Sequence, residues 1–275
     1  MFKIIFVFIL CGFFHSAISQ NDDTLYSNGI NAISKGNWEA AYKYLSDFNK
    51  LNPDNAKGYN SLGVVLFQYQ RYKPALDCFL KAIDLDTAYG NAYSGVGAVY
   101  LMLDDPDNCY KYISKSFAYN PEDMNAWNTL ASYYAVKGDI NEAMRTFEKA
   151  LKINPECLDI IWSRGAVFLQ LDNYDDALKD VNRAIEINPL IPKSFYFRGT
   201  VYRYKKDFNK ALADFETALK LNPEEAEAYV RRGITYLDMG NYKKAVSDME
   251  KGYGLNPELK TPTEKYYKEA VQKMK

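Results

Sequence analysis

Two rows of charged residues recur at a fixed interval in the second half of the chain. The arginines are 34 residues apart, and each is followed 16 residues later by an aspartate. The rows are Arg164, Arg198 and Arg232, then Asp180, Asp214 and Asp248. Guanidinium groups alone would suit phosphate or carboxylate ligands. The matched aspartates instead predict structural ion pairs within each repeat, because unpaired charges there would be costly. An anion-binding arginine row stays as the alternative.

The histidine and cysteine content argues against the commonest catalytic and metal chemistry. The single histidine, His15, lies in an apolar N-terminal segment. Without that segment the chain has no histidine for a Ser-His, Cys-His or zinc site. Cys78, Cys109 and Cys157 are spaced by 31 and 48 residues, which matches no metal-binding knuckle, and their odd number argues against a disulfide framework. We expect no metal, no cofactor and no catalysis; an enzyme is the less favoured alternative.

The N-terminal segment has the features of a secretory signal peptide over residues 1–19. Lys3 is its only charge, Ile4 to Leu10 is an unbroken apolar run, and Ala17-Ile18-Ser19 is a small-x-small site. The run is too short to span a bilayer. We predict cleavage before Gln20 and an exported protein, periplasmic or secreted. The alternative is a lipoprotein processed at Cys11 and held near a membrane, although Leu10 stands where a small residue normally precedes the lipidated cysteine.

The overall charge is balanced and selects no charged partner. The chain has 34 Lys and Arg against 35 Asp and Glu, and loss of Lys3 with the leader would leave 33 against 35. Such a balance produces no field that would favour nucleic acid or an anionic membrane surface. We therefore expect no nucleic-acid partner and no transmembrane span.

A 34-residue period runs through the chain from residue 22. The dipeptide Asn-Pro recurs in register from Asn52-Pro53 to Asn256-Pro257, with Asp86-Thr87 as the exception. Small residues recur at repeat positions 8, 20 and 27, and large apolar residues at positions 4 and 24. This pattern predicts two closely packed antiparallel helices in each repeat. The predicted repeats are 22–55 (degenerate), 56–89, 90–123, 124–157, 158–191, 192–225 and 226–259, followed by a capping helix at 260–275.

Turn residues agree with this helix prediction. Gly36, Gly138 and Gly240 fall between the two helices of their repeats, where a left-handed cap needs positive φ. Within the capping helix, Tyr267, Ala270, Val271 and Met274 follow the spacing of one apolar face.

These residues carry a resemblance to the tetratricopeptide repeat family: large apolar at position 4, Gly at 8, Tyr at 11, Ala at 20, Phe at 24, Ala at 27 and Pro at 32. The resemblance covers 22–259, and is weaker in repeat 1 and in repeat 3, which has Cys109 and Ser116 where Ala is usual. It implies an all-α solenoid, a right-handed superhelix of stacked antiparallel helix pairs. It also implies a concave groove, lined by the first helices, that binds a protein or peptide partner.

By that family's geometry, positions 2, 5, 9, 12 and 13 of the first helices line the groove. Asparagine amides there can donate to and accept from a peptide backbone, while Trp, Tyr and Arg are common interface anchors. The predicted groove residues are Tyr26, Asn60, Phe67, Asn91, Ser94, Asn125, Asn128, Ser132, Trp162, Tyr196, Arg203 and Tyr204. The alternative is that the asparagines only form a soluble helix surface.

The resemblance therefore implies a protein-interaction scaffold, which we expect to act in assembly of an extracytoplasmic complex. A structural spacer or a self-associating solenoid is the alternative. Chaperone-adaptor relatives clamp a C-terminal carboxylate with Lys at position 5 and Asn at position 9 of one repeat, and with further cations at positions 2 and 6. Here Lys193 occupies a position 2, but Phe197 occupies the matching position 6. We expect no such clamp.

Overall fold

A computed structural model describes residues 24 to 274 of the chain. The predicted signal peptide, its cleavage site before Gln20 and the alternative lipidation site at Cys11 lie outside the described residues. Over the described range the chain forms fifteen α-helices and one 3₁₀ turn, and contains no strand. No helix between residues 24 and 274 has the length and apolar character needed to cross a bilayer.

Each repeat contributes two helices. The first helices are α1 (Thr24–Ser34), α3 (Ala56–Gln68), α5 (Gly90–Met102), α7 (Met124–Lys137), α9 (Leu158–Gln170), α11 (Pro192–Tyr204) and α13 (Ala226–Asp238). The second helices are α2 (Trp38–Leu51), α4 (Tyr72–Leu85), α6 (Pro106–Tyr119), α8 (Ile140–Ile153), α10 (Tyr174–Ile187), α12 (Phe208–Leu221) and α14 (Tyr242–Leu255). A 3₁₀ turn at Pro257–Leu259 leads into α15 (Lys260–Met274).

Asn and Asp side chains set where the second helices begin and end. Asn37 Oδ1 accepts a hydrogen bond from the Ala40 amide at 3.1 Å at the start of α2, a favourable N-cap. At the other end, in repeats 4 to 7, the Asn of Asn-Pro accepts from the amide two residues later, as Asn154 does from Glu156 at 3.1 Å. Asp86 makes the same bond to the Ala88 amide. The altered dipeptide in repeat 2 therefore keeps the turn.

The chain forms two compact units, one ending at Ser163 and the other beginning at Arg164. In the first unit, Phe79 is fully buried in a core with Val96 and Ile113. In the second, Phe215 packs with Ala211 and Ala218. Each core is built from the large residues that the period predicts at positions 4 and 24 and the small ones between them.

The helix α15 covers the end of the second unit, where it packs on α13 and α14. Ala270 is fully buried there, with Tyr267 and Val271 packed against the same cluster. Met274 is the exception to the predicted face, because 48% of its surface is exposed at the last described residue. The apolar face of the capping helix therefore ends about one turn earlier than its spacing predicts.

Every turn between the two helices of a repeat has positive φ at position 15. The three predicted glycines have it, as shown by Gly138 at φ 81°. The other four repeats place a non-glycine residue there: Gln70, Asp104, Asp172 and Lys206. Left-handed backbone costs such residues roughly 1 kcal/mol relative to glycine, so these four turns are locally strained.

We predict that Lys206→Gly stabilises the protein by about 1 kcal/mol, because the exposed Lys206 has φ 62° and glycine relieves that strain. The matched reverse change is Gly138→Ala, whose added methyl group would meet nothing within 4 Å and should destabilise by about the same amount through φ alone. Denaturant unfolding of both variants measures the change in the free energy of unfolding. A change in the same direction for the two variants would contradict the prediction.

Candidate functional site

The candidate site is the first-helix face, defined as positions 2, 5, 9, 12 and 13 of the first helices. In the first unit it is carried by α1, α3, α5, α7 and the start of α9, and in the second unit by the rest of α9, α11 and α13. All twelve predicted groove residues lie on these helices, but they differ greatly in how much of the side chain is exposed.

In the first unit the face is mostly buried. Asn60, Asn125 and Asn128 are all buried. Phe67 is a core residue whose ring meets Tyr72 edge-on at 5.4 Å. Asn91 is half-buried, and its Oδ1 accepts a hydrogen bond from Asn120 Nδ2 at 3.2 Å. The close packing of α5 on α7 explains this burial, which a single repeat does not reveal.

The aromatic candidates divide into core and surface. Trp162, in the first unit, and Tyr196, in the second, are both buried. Tyr204 is 43% exposed, and its ring stacks on Tyr174 at 6.3 Å. Tyr204 is therefore the most accessible of the twelve predicted groove residues. Contact of these residues with a partner stays a prediction.

Arg203, predicted as an anchor for a partner, is held within the second unit. Its Nε donates to Asp238 Oδ2 at 2.6 Å, and only 11% of its side chain is exposed. Its guanidinium also lies 5.2 Å from the Tyr204 ring and 5.9 Å from the Tyr266 ring. Arg203 thus links repeats 6 and 7 to α15. The 35-residue spacing from Arg203 to Asp238 is the signal in the sequence that points to this pair.

The arginine and aspartate rows are paired in the second unit. Arg164 Nε and Nη2 lie 2.8 and 2.6 Å from the Asp180 carboxylate. Arg198 contacts Asp214 through two bonds of 2.8 Å, and Arg232 contacts Asp248 at 2.7 and 2.9 Å. These are the three ion pairs that the 16-residue spacing predicts. These two-point contacts use the fork of each guanidinium, which leaves the arginine row poorly suited to bind a free anion.

Two carboxylates precede first helices at repeat position 34, the buried Asp123 and the half-buried Glu225. Asp123 accepts hydrogen bonds from the Asn125 amide at 2.9 Å and from Ser116 Oγ at 3.1 Å, yet burial raises its pKa. Burial also raises the pKa of Glu225 to about 7, with Asn222 Nδ2 donating to Oε2 at 3.1 Å. Asp123 caps α7 with its side chain, whereas Glu225 precedes α13 and its side chain makes no cap hydrogen bond within residues 24–274. Neither group was predicted from the sequence.

The cysteines are weak nucleophiles in this setting. Burial raises the pKa of the Cys109 thiol to about 12 and that of Cys78 to about 11, so both are protonated at neutral pH. Both are free thiols, as is the buried Cys157. Between residues 24 and 274 no three His, Cys, Asp or Glu side chains come together as a metal site would require.

Comparison with known protein families identifies the family to which these helix pairs belong. Family models described as TPR repeat or tetratricopeptide repeat match four segments of the chain: residues 26–90, 124–157, 199–240 and 226–259. Two of these, 124–157 and 226–259, coincide with single predicted repeats. The chain belongs to the tetratricopeptide repeat family. Tetratricopeptide repeat proteins bind protein partners, and the chain is accordingly a protein-interaction scaffold.

Among curated relatives, the Hsp70-Hsp90 organizing protein of Triticum aestivum is 30% identical over 99 residues. That match spans 36% of this chain and only 17% of the relative. Among solved structures, a tetratricopeptide repeat protein from Parabacteroides merdae is 19% identical with a TM-score of 0.63, covering 90% of this chain and 97% of that one. Yeast Tom70 is 16% identical with a TM-score of 0.67, covering 98% and 68%. At such identities the structures establish the tetratricopeptide repeat fold alone.

We predict that Arg232→Leu destabilises the protein by about 2–4 kcal/mol, because it leaves the half-buried Asp248 carboxylate, whose side chain is 13% exposed, without its partner. The double change Arg232→Leu with Asp248→Thr copies the residues that repeat 4 has at these positions, Leu130 and Thr146. It should recover most of that loss, as uncharged replacements of buried pairs often do. Thermal or urea unfolding measures both; a double variant no better than the single one would contradict this account.

We predict that Glu225 makes the free energy of unfolding fall as pH rises from about 4.5 to about 7. Its folded-state pKa lies above its ordinary value, so the folded protein holds a proton that the unfolded chain has released. Glu225→Gln should therefore raise the free energy of unfolding at pH 8 by an amount on the order of 1–3 kcal/mol, with a smaller gain at pH 4.5. Glu224→Gln removes the same charge from the exposed neighbouring position and serves as the control.

Proposed function

We propose that this protein is an exported scaffold that holds a polypeptide partner on its first-helix face during assembly of an extracytoplasmic complex. The observation that carries the proposal is that each described helix from α1 to α14 falls within one of the seven 34-residue repeats. Function in such an array resides on the surfaces of its repeats. The first-helix face carries the uncharged amides in one unit and the exposed Tyr204 in the other.

Tyr204 has the properties of an interface anchor. Its ring is large and exposed, Tyr174 stacks on it at 6.3 Å, and the Arg203 guanidinium lies 5.2 Å from its centre. An aromatic side chain that is already ordered loses little conformational freedom on binding, and tyrosine is enriched among residues that dominate binding energy. This favours Tyr204 as a contact in the second unit.

Export is supported by the sequence of residues 1–19, with cleavage before Gln20. Lipidation at Cys11 is the alternative and would hold the scaffold at a membrane. The mass of the N-terminal peptide of the purified mature protein separates these routes, since processing at Cys11 adds acyl chains and retains residues 11–19.

We propose a binding function without catalysis. The Cys109 and Cys78 thiols are protonated at neutral pH because burial raises the pKa of each. The most regular charged groups, the Arg–Asp rows, are paired with each other. A carboxylate clamp for chaperone tails is not part of the proposal, although a relative is named as organizing Hsp70 and Hsp90. Such a clamp would need a second cation at position 6 of the repeat that has Lys193 at position 2. That position holds Phe197, which is buried.

We predict that Tyr204→Ala reduces capture of the partner from a native envelope extract by at least about tenfold, the size of a typical anchor residue's contribution. Tyr119→Ala is the matched control: Tyr119 is 49% exposed and stacks on Tyr93 at 5.3 Å, but lies on a second helix. Quantitative mass spectrometry of captured proteins is the measurement, with unfolding midpoints recorded for each variant.

Equal capture by the two variants would remove Tyr204 from the binding surface. If the protein captures nothing, and sedimentation shows growth of its own assemblies with concentration, the self-associating spacer replaces the scaffold. Nucleic acid in the captured material would contradict the expectation that the partner is a protein.

A further inference from the structure

Two neighbouring second helices, α6 and α8, carry the same order of exposed side chains along one stripe. Repeat positions 22 and 26 are cationic and position 30 is large and apolar, at four-residue spacings that place them on one side of a helix. The exposed stripes are Lys111, Lys115 and Tyr119 on α6 and Arg145, Lys149 and Ile153 on α8. An exposed carboxylate follows each helix at position 33, Glu122 after α6 and Glu156 after α8. Each stripe thus has a cationic, an apolar and an acidic band.

Among the seven repeats, only repeats 3 and 4 have all three bands. In repeats 1, 2, 5, 6 and 7 at least one band is interrupted, by Asp47, Ala88, Leu190, Thr217 and Ser247 respectively. Repeats 3 and 4 both lie in the first unit, and α7 packs against both α6 and α8. Because the period gives α6 and α8 the same orientation, each band continues from one repeat to the next. We call this surface of α6, α8 and the turns after them the banded face.

Most charged groups of the banded face remain available to a second molecule. Four of them make no ion pair within residues 24–274: Lys115, Lys149, Glu122 and Glu156. Arg145 differs, because it pairs with Glu142. Exposed charges of opposite sign therefore stand on the two sides of the apolar band without pairing with each other.

The side chains of repeat 3 are held in place on this face. The Lys115 ammonium lies 5.8 Å from the ring centre of Tyr93 and 5.3 Å from that of Tyr112. Tyr119, which is 49% exposed, stacks on Tyr93 at 5.3 Å. Side chains that are already ordered lose little conformational freedom when a second molecule covers them.

We propose that the chain forms a closed dimer in which the banded faces of two copies pack on each other. A two-fold axis along the stacking direction of repeats 3 and 4 reverses the order of the bands in the second copy. Position 30 then meets position 30, and the cation at position 26 of one copy meets the carboxylate at position 33 of the other. Every such contact occurs twice in an interface of this kind. A surface of a single charge, such as an anionic membrane, would instead repel one of the two charged bands.

The dimer is independent of the scaffold function proposed above. It uses second helices, whereas the polypeptide partner is proposed to bind the first-helix face. A two-fold contact is also closed, so it uses up the banded face of both copies and stops at two. Tyr119→Ala should accordingly weaken the dimer while leaving capture of the partner unchanged.

The experiment measures self-association of the protein, expressed with its own leader, by sedimentation equilibrium between about 1 and about 200 µM, the range of weak dimers. The acidic variant combines Lys115→Glu with Lys149→Glu. The basic variant combines Glu122→Lys with Glu156→Lys. Each is measured alone and in an equal mixture with the other, and unfolding midpoints are recorded for both.

The control variant combines Lys81→Glu with Lys35→Glu. It has the same change of net charge as the acidic variant, and both lysines are exposed in the first unit. Lys81 occupies position 26 of repeat 2, where Ala88 replaces the carboxylate at position 33. The control variant should therefore dimerise like wild type.

We expect wild type to form dimers and nothing larger. Each charge variant alone should dimerise at least about tenfold more weakly, because like charges then face each other. The mixture should regain dimers, because the new carboxylates of the acidic variant face the new lysines of the basic variant. Raising NaCl from about 50 to about 500 mM should weaken the wild-type dimer at least about threefold.

A cysteine pair tests the two-fold contact without any change of charge. Tyr119→Cys places a thiol where position 30 meets its own copy, so air oxidation should link two chains through this residue. Tyr110→Cys is the matched control, because Tyr110 lies on the same helix and is 48% exposed but occupies position 21. Non-reducing electrophoresis with peptide mapping measures the rate of linkage for each variant.

A wild type that stays monomeric over the whole concentration range overturns the inference, as does a mixture of folded variants that dimerises no better than either alone. Assemblies larger than a dimer overturn the closed two-fold arrangement. Equal linkage rates for Tyr119→Cys and Tyr110→Cys also contradict it, and this comparison decides alone if the charge variants do not fold. Partner capture by a monomeric protein would show that the scaffold function stands although the dimer fails.

Discussion

The structure depends on the close approach of the two helices within each repeat. At position 8, a methyl group added to Gly63 would lie 2.8 Å from the Phe79 ring, and one added to Gly97 would lie 2.6 Å from Ile113. The same 16-residue contact joins Gly199 to Phe215 at 2.9 Å. Because the large residue at position 24 fills the space that a side chain at position 8 would take, the helices can approach closely enough to bury their shared face. This contact also brings neighbouring positions 7 and 23 opposite each other.

The chain fills positions 7 and 23 with different chemistry in different repeats. In the second unit they hold the Arg–Asp pairs, such as Arg198 with Asp214 at 2.8 Å. In repeat 3, Tyr112 stands at position 23, and its ring lies 5.6 Å from Tyr100, with Lys115 Nζ 5.3 Å above it. Both solutions fill the gap between the helices. The ion pairs are therefore one of several workable packings, which is why an uncharged pair should replace them at little cost.

The period predicts the helices, the Arg–Asp pairing and the capping helix because each depends on contacts at a fixed sequence spacing. Strain at Lys206 and the three other non-glycine residues at position 15 was not predicted, because the left-handed backbone is imposed by the helices on either side of it and not by the residue's own preference. The burial of Asn128 and the engagement of Arg203 by Asp238 depend on how neighbouring repeats pack. A prediction made one repeat at a time assigns these residues to a surface that the next repeat partly covers.

Stability in a repeat array is close to a sum of local terms, one for each repeat and one for each junction. A group that destabilises one repeat is therefore tolerated as long as the neighbouring repeats keep their own stabilising contacts. In this chain those contacts are the Gly–Phe contacts, the helix caps and the ion pairs. That independence allows position 5 to hold Trp162 in one repeat without change of fold. In the preceding repeat, position 5 holds Asn128, whose amide has no hydrogen-bond partner within residues 24–274. Binding surfaces can thus diverge along the array while positions 8 and 24 keep the helices in place.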